Sequence, residues 1–102
     1  MTEEFIQFER TGTVGKISAR GEVDLSNSPQ LRKTILGALR VDEHIIVDLS
    51  QVSYIDSSGI AALVEGLQMA NKKDKTFSLQ SPSEQVMSIL ELARLDTVFS
   101  IE

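Results

Sequence analysis

Two adjacent serines, between an aspartate and a glycine, are the best candidates in this chain for a functional site. The segment Asp56-Ser57-Ser58-Gly59 follows a run of β-branched residues and precedes an apolar pattern of helical period. The first turn of a helix presents unpaired backbone N–H groups and the positive end of the helix dipole. A phosphate is stabilised at such a position. The segment therefore predicts a site built to carry a removable charge.

Hydrophobic periodicity predicts the elements that hold this segment. Upstream, the residues from His44 to Ser50 predict a short buried strand over 45–49. Downstream, apolar residues at i, i+3, i+4 and i+7 predict a helix over about 58–71. Further strands are predicted over 5–9, from a turn at 11–13 to about 21, over 76–79 and over about 98–101.

Two serine–proline pairs predict the starts of the other helices. Ser28 is expected to cap the first of them, with Pro29 at the first helical position. In Ser81-Pro82-Ser83-Glu84 the first serine is expected to cap, the proline to open the helix and the glutamate to complete a capping box. The expected buried stripes are Leu31, Ile35, Ala38 and Leu39 in the first, and Val86, Ile89, Leu90 and Ala93 in the second.

The order of these elements predicts an α/β fold. A hairpin is followed by three strand–helix units, which implies a mixed sheet with parallel central strands and an antiparallel N-terminal edge hairpin. About three to four helices are expected, mainly on one face of the sheet. Segments 23–28, 53–59 and 80–83 then meet at the carboxyl ends of the parallel strands. This rim brings Asp24 towards Asp56, in a small patch rich in acids and hydroxyls.

Length and composition exclude several classes of protein. The 102 residues are expected to form one domain over 1–102, and a net charge of −5 argues against a nucleic acid partner. No cysteine is present, which excludes disulfides and thiol catalysis, and neither a metal site nor a cofactor is predicted. The acidic start lacks a secretion signal and no apolar run could span a membrane. We therefore expect a cytoplasmic location and no membrane partner.

A serine between a strand and a helix invites comparison with the nucleophile elbow of hydrolases, but the comparison fails. The first glycine of the elbow is missing, because Tyr54-Ile55-Asp56 precedes Ser57. His44, the one histidine, opens its strand roughly 20 Å from the rim at ~3.3 Å per residue, too far to act as a general base. A chain of this size does not easily enclose a substrate cleft. We expect no catalytic residues and no enzymatic activity.

The chain resembles STAS domains of the anti-sigma factor antagonist type over essentially its whole length. Gly21-Glu22-Val23-Asp24 is similar to the Gly-Glu-Leu-Asp segment of that family, with valine for leucine. Val47-Asp48-Leu49, followed by Val52 and Ile55, resembles the central strand that leads to the family's phosphorylation loop. In similar proteins the serine directly after the aspartate is phosphorylated, which corresponds to Ser57.

The resemblance implies a partner switch. Unphosphorylated, such a protein binds an anti-sigma factor, a serine kinase with a histidine-kinase-type ATP-binding fold, and frees the sigma factor or another target. The kinase phosphorylates the serine and so releases the antagonist, and a metal-dependent serine phosphatase resets the cycle. We expect a monomer whose partner-binding residues are Asp24, Asp56, Ser57, Ser58 and Gly59.

Three of these residues also have structural interpretations that the sequence leaves open. Asp56 is expected to cap the helix and could in addition pair with a partner's arginine. Gly59 could admit a partner's backbone or could relieve crowding between helix and sheet. Asp24 could contact the partner or cap the turn before Ser28. An alternative function is a STAS-type regulatory subunit that packs on the ATPase of a transporter.

Overall fold

The computed structural model describes residues 4–102, which form a five-stranded sheet and three helices. In chain order the elements are β1 (Ile6–Thr11), β2 (Val14–Val23), α1 (Ser28–Ala38), β3 (His44–Ile55), α2 (Ser57–Lys72), β4 (Thr76–Gln80), α3 (Glu84–Leu92) and β5 (Ser100–Ile101). The spatial order of the strands is β1-β2-β3-β4-β5. β1 and β2 are antiparallel and every other neighbouring pair is parallel. The predicted α/β fold with its N-terminal edge hairpin is confirmed.

One face of the sheet carries the core. The register aligns Ile17 of β2 with Val47 of β3 and Val47 with Leu79 of β4, and all three side chains are fully buried. The residues directly before and after each of these three along its strand are only half-buried, because successive side chains of a strand point to opposite faces of the sheet. A Cβ atom at Gly66 of α2 would lie 2.7 Å from Ile35 of α1, so the two helices pack closely on this face.

Strand β3 is longer than predicted, and its length matters for the rim. It runs to Ile55, immediately before Asp56, whereas the periodicity indicated an end near residue 49. β2 follows it through two register shifts, one of them between Gly21 and Glu22. Gly21 has a φ of +80°, a left-handed conformation that favours glycine, and this bulge keeps the two strands paired up to the rim.

The predicted cap of α1 was wrong. Ser28 is the first helical residue and is buried, and Asn27 occupies the cap position without a side-chain capping bond. The Asn27 side chain is used elsewhere, because its Oδ1 accepts from the Asp24 N–H and its Nδ2 donates to the Glu22 carbonyl. The predicted stripe of α1 is buried throughout.

The predicted start of α3 was also wrong, by two residues. Ser83 is the cap, and Ser81 lies outside the helix with a φ of +49°. The Ser83 hydroxyl donates to the Val52 carbonyl at 2.6 Å and accepts from the Val86 N–H at 3.2 Å. The contact of Ser83 with β3 therefore determines which serine caps α3. The local sequence around α3 does not reveal a contact with so distant a residue. Val86 and Leu90 are buried as predicted, Ile89 is half-buried and Ala93 is exposed.

Candidate functional site

The rim is assembled where β2 and β3 end side by side. The Asp56 N–H donates to the Val23 carbonyl at 3.0 Å, which joins the end of β3 to the last residue of β2. Each helix follows the carboxyl end of a parallel strand, so the helix starts face the same rim. The structure therefore brings the segment that begins at Asp24 next to the segment 56–59, as the topology predicted.

Asp56 is the N-cap of α2, which confirms that part of its expected role. Its Oδ1 accepts the Ser58 N–H at 2.9 Å, the Gly59 N–H at 3.1 Å and the Ser58 hydroxyl at 2.6 Å. The bond from the Ser58 hydroxyl, helped by the backbone N–H groups of Gly59, Ser58 and Leu25, lowers the pKa of Asp56 below its usual range against a weaker opposing effect of desolvation. Asp56 is therefore ionised at neutral pH.

The two serines of the segment differ in environment. Ser58 is half-buried and its hydroxyl is committed to Asp56. Ser57 is exposed, as the first residue of α2, at the edge of the rim. Asp56 already accepts the N–H groups of Ser58 and Gly59, so a phosphate on Ser57 would be stabilised by the field of the helix terminus rather than by these two donors.

Gly59 is buried against the sheet. A Cβ atom at this position would lie 2.5 Å from Ile55 Cγ1 and 2.7 Å from Val23 Cγ1. Both contacts are shorter than packed carbon atoms allow. Close packing of α2 on the ends of β2 and β3 is thus sufficient to require glycine here, and a partner's approach to Gly59 stays a prediction.

Asp24 organises the turn between β2 and α1. Its Oδ1 accepts the Ser26 N–H at 2.9 Å and the Ser26 hydroxyl at 2.5 Å, while its carbonyl accepts from Ser28 N at 2.7 Å. Asp24 thus has the turn role that the sequence left open. The side chain is half-buried, so a contact with a partner is compatible with that role.

One ion pair ties together the two helices that start nearest to the Asp56 segment. Arg32 of α1 donates both Nε and Nη2 to the carboxylate of Glu65 in α2, with the second bond at 3.0 Å. The Arg32 guanidinium lowers the pKa of Glu65. Both side chains are partly exposed, so the pair contributes little to the stability of the fold.

The histidine of this chain lies away from the rim. His44 begins β3, at the end opposite to the rim, and its Nδ1 lies 2.7 Å from Thr76 Oγ1. Within residues 4–102 no three histidine or acidic side chains are grouped so that they could hold a metal ion. Nor does any helix in the described range have the length and apolarity needed to cross a membrane.

Two exposed apolar side chains at the rim were missed by the sequence analysis. Leu25 is 76% exposed and follows Asp24 directly, while Tyr54 is 47% exposed and lies two residues before Asp56. An apolar residue inside a polar turn was the one signal that could have found Leu25.

Comparison with known proteins identifies the family. A family model described as "Mlab, STAS domain" matches residues 6–101. The chain belongs to the STAS domain family. The observed strand order agrees with the resemblance drawn from the sequence, and so does the position of Asp56-Ser57-Ser58-Gly59 at the start of α2.

This STAS domain has curated and structural relatives along most of its length. It is 24% identical over 86 residues to the anti-sigma-B factor antagonist of Bacillus subtilis, covering 84% of this chain and 79% of the relative. A Thermotoga maritima protein matches with a TM-score of 0.86, 26% identity and coverage of 94% and 84% of the two chains. The anti-sigma factor antagonist SpoIIAA from Bacillus matches at 22% identity in its unphosphorylated form (TM-score 0.82, coverage 95% and 87%) and its phosphorylated form (TM-score 0.76, coverage 95% and 90%). At that identity the SpoIIAA matches show a shared fold.

Proposed function

We propose that this STAS domain is an anti-sigma factor antagonist whose binding to its partner is controlled by phosphorylation of Ser57. The proposal is supported mainly by a contrast between the two serines. Ser57 is exposed, whereas the hydroxyl of Ser58 is hydrogen-bonded to Asp56. Relatives bearing the name anti-sigma-B factor antagonist, and a shared fold with SpoIIAA in both phosphorylation states, support it.

The proposed partner is an anti-sigma factor serine kinase with a histidine-kinase-type ATP-binding fold. Asp24 and the ionised Asp56 give the rim a negative charge that a basic surface on the kinase would complement. Ser57 and Ser58 would lie at the centre of the contact, with Gly59 beneath them. Binding of the unphosphorylated form occupies the kinase and frees its sigma factor or other target.

Phosphorylation of Ser57 would end binding through local charge and bulk. The phosphate adds about −1.5 to −2 charges beside the carboxylate of Asp56. The dipole of α2 favours that charge in the free protein, so the fold is retained. Both the charge repulsion and the added volume act at the interface with the kinase. Each ~1.4 kcal/mol of binding free energy lost there lowers the affinity tenfold. A metal-dependent serine phosphatase would restore the binding form.

In this account the STAS domain is a substrate and a ligand, and the kinase supplies the catalysis. It acts in the cytoplasm as a monomeric single domain, with no nucleic acid or membrane partner. The transporter subunit remains the alternative, since a family match does not separate two functions within one family. The anti-sigma-B factor antagonist relatives favour the partner switch.

The affinity of two Ser57 variants for the kinase tests the proposal. Ser57→Asp should weaken binding at least about tenfold, because a carboxylate imitates part of the phosphate charge. Ser57→Ala should bind as tightly as the wild type and resist release by ATP. Isothermal titration calorimetry with the purified kinase measures both. If Ser57→Asp and Ser57→Ala bind equally well, Ser57 is not the switch.

A further inference from the structure

One exposed apolar side chain has no role in the fold and lies at the proposed switch. Leu25 is 76% exposed at the tip of the turn between β2 and α1. The Asp56 N–H donates to the carbonyl of Val23 at 3.0 Å, two residues before Leu25, and the Leu25 N–H helps to lower the pKa of Asp56. Leu25 therefore lies near the residue that precedes Ser57. The side chain is therefore on the same rim as the proposed phosphorylation site.

The turn that carries Leu25 is held firmly by hydrogen bonds on both sides. Asp24 Oδ1 accepts the Ser26 N–H at 2.9 Å and the Ser26 hydroxyl at 2.5 Å. The Asp24 carbonyl accepts the N–H groups of Asn27 at 3.1 Å and Ser28 at 2.7 Å. A partner that buries Leu25 would lose little backbone entropy, because this backbone is already ordered.

The chemistry of the rim indicates what would cover this leucine. Leu25 stands between acidic groups, with Glu22 and Asp24 before it in the chain and Asp56 against its backbone. A complementary surface needs an apolar pocket flanked by basic side chains. Charge alone orients a partner and speeds its encounter, whereas a buried apolar anchor supplies affinity and slows dissociation.

We propose that Leu25 is the apolar anchor that the anti-sigma factor kinase buries beside the contacts at Asp24 and Ser57. This inference rests on the proposed function and adds a residue that determines affinity. The bond from the Asp56 N–H to the Val23 carbonyl joins the segment that carries Ser57 to the strand end that leads into the turn of Leu25, so a phosphate on Ser57 would act close to this anchor. A kinase displaced from Ser57 would also lose its contact with Leu25, because both residues lie on the same rim.

The chain offers a matched control for testing this anchor. Leu92, at the end of α3, is also an exposed leucine, at 87%, but it lies at the carboxyl end of a helix that starts at the rim. Leu25→Ala and Leu92→Ala remove the same atoms from two exposed positions. Neither change should alter the melting temperature measurably, since exposed substitutions away from special features have small effects.

The test titrates each purified full-length variant into a kinase that binds the wild-type chain. Leu25→Ala should weaken binding about tenfold or more, as expected when a buried leucine is truncated. Leu25→Met should stay within about threefold of wild type, because it keeps the apolar volume. Leu92→Ala should bind like the wild type.

Each outcome decides the inference. Equal affinity of Leu25→Ala and Leu92→Ala would overturn the anchor and leave the Ser57 switch standing. A loss of affinity in both leucine variants would also overturn it, since the effect would not be local to the rim. If no histidine-kinase-fold anti-sigma factor from the same genome binds the wild-type chain, the proposed function fails, and the anchor fails with it.

Discussion

The Ser58 hydroxyl donates to Asp56 Oδ1 at 2.6 Å, and this bond makes the two serines of the rim unequal. The hydroxyl of Ser58 is bonded to the residue that caps α2, so modifying this hydroxyl would remove that bond. Ser57 takes no part in the cap and faces solvent. A phosphate can therefore be added to Ser57 and removed again while the helix keeps its start, which a reversible switch requires.

The cap predicts a specific effect of changing Asp56 on stability. Asp56→Ala should lower the melting temperature by a few degrees, because the N–H groups of Ser58 and Gly59 lose their acceptor. Asp56→Asn should lower it less, since the amide oxygen can still accept. Thermal unfolding followed by circular dichroism measures both. Equal losses in the two variants would mean that charge, rather than capping, is what matters.

The lowered pKa of Asp56 predicts a pH dependence that differs between wild type and Asp56→Asn. A carboxyl with a lower pKa in the folded state stabilises the fold above its unfolded pKa, and this contribution is lost as the pH falls through the folded value. The advantage of the wild type over Asp56→Asn should be constant near neutral pH and shrink below about pH 4. Denaturant unfolding at a series of pH values checks this. An advantage that grows on acidification would contradict the assignment.

Two glycines in helices should respond oppositely to the same change. Gly59→Ala should destabilise the fold by about 1–3 kcal/mol, because its Cβ would lie 2.5 Å from Ile55 Cγ1. Gly37→Ala in α1 should stabilise it by about 0.5–1 kcal/mol, because nothing lies within 4 Å of the added atom. Urea denaturation of both variants measures the difference. If Gly59→Ala were as stable as wild type, the packing role of Gly59 would be wrong.

Asp24 has a turn role and a proposed contact role, and two variants separate them. Asp24→Asn keeps an oxygen for Ser26 but removes the charge, so it should fold normally and bind the kinase more weakly. Asp24→Lys reverses the charge and should lower affinity further. Melting temperatures and titrations of both variants decide the matter. A large fall in melting temperature with unchanged affinity would make Asp24 purely structural.

The purified protein should not phosphorylate itself. His44 is at the opposite end of β3, and within the described residues no three histidine or acidic side chains are grouped so that they could hold a metal ion. Incubation with radiolabelled ATP and Mg²⁺ should give no incorporation until the kinase is added. A stoichiometric signal that disappears in Ser57→Ala would make this protein an enzyme.

The fold could be predicted from the sequence because the periodicities are clean. Alternation in β2 and the apolar stripes of α1 and α2 gave the right elements, and their order gave the parallel sheet. The cap at Asp56 was also predictable, because Asp directly before a helical pattern has a local mechanism.

What escaped prediction depends on contacts between distant parts of the chain. Ser83 caps α3 because its hydroxyl reaches the Val52 carbonyl, and Asn27 is drawn into the turn of Asp24 and Glu22. The extra length of β3 depends on register shifts opposite β2. The hydrogen bond from the Ser58 hydroxyl to Asp56 and the exposure of Leu25 could not be predicted from the sequence either.

The residue that carries the phosphate decides whether Ser57 is the switch. The wild type, Ser57→Ala and Ser58→Ala would each be incubated with the kinase and ATP and mapped by mass spectrometry. We expect phosphate on Ser57 in the wild type, retained in Ser58→Ala and lost in Ser57→Ala. Phosphate on Ser58 in the wild type, or undiminished incorporation in Ser57→Ala, would contradict it.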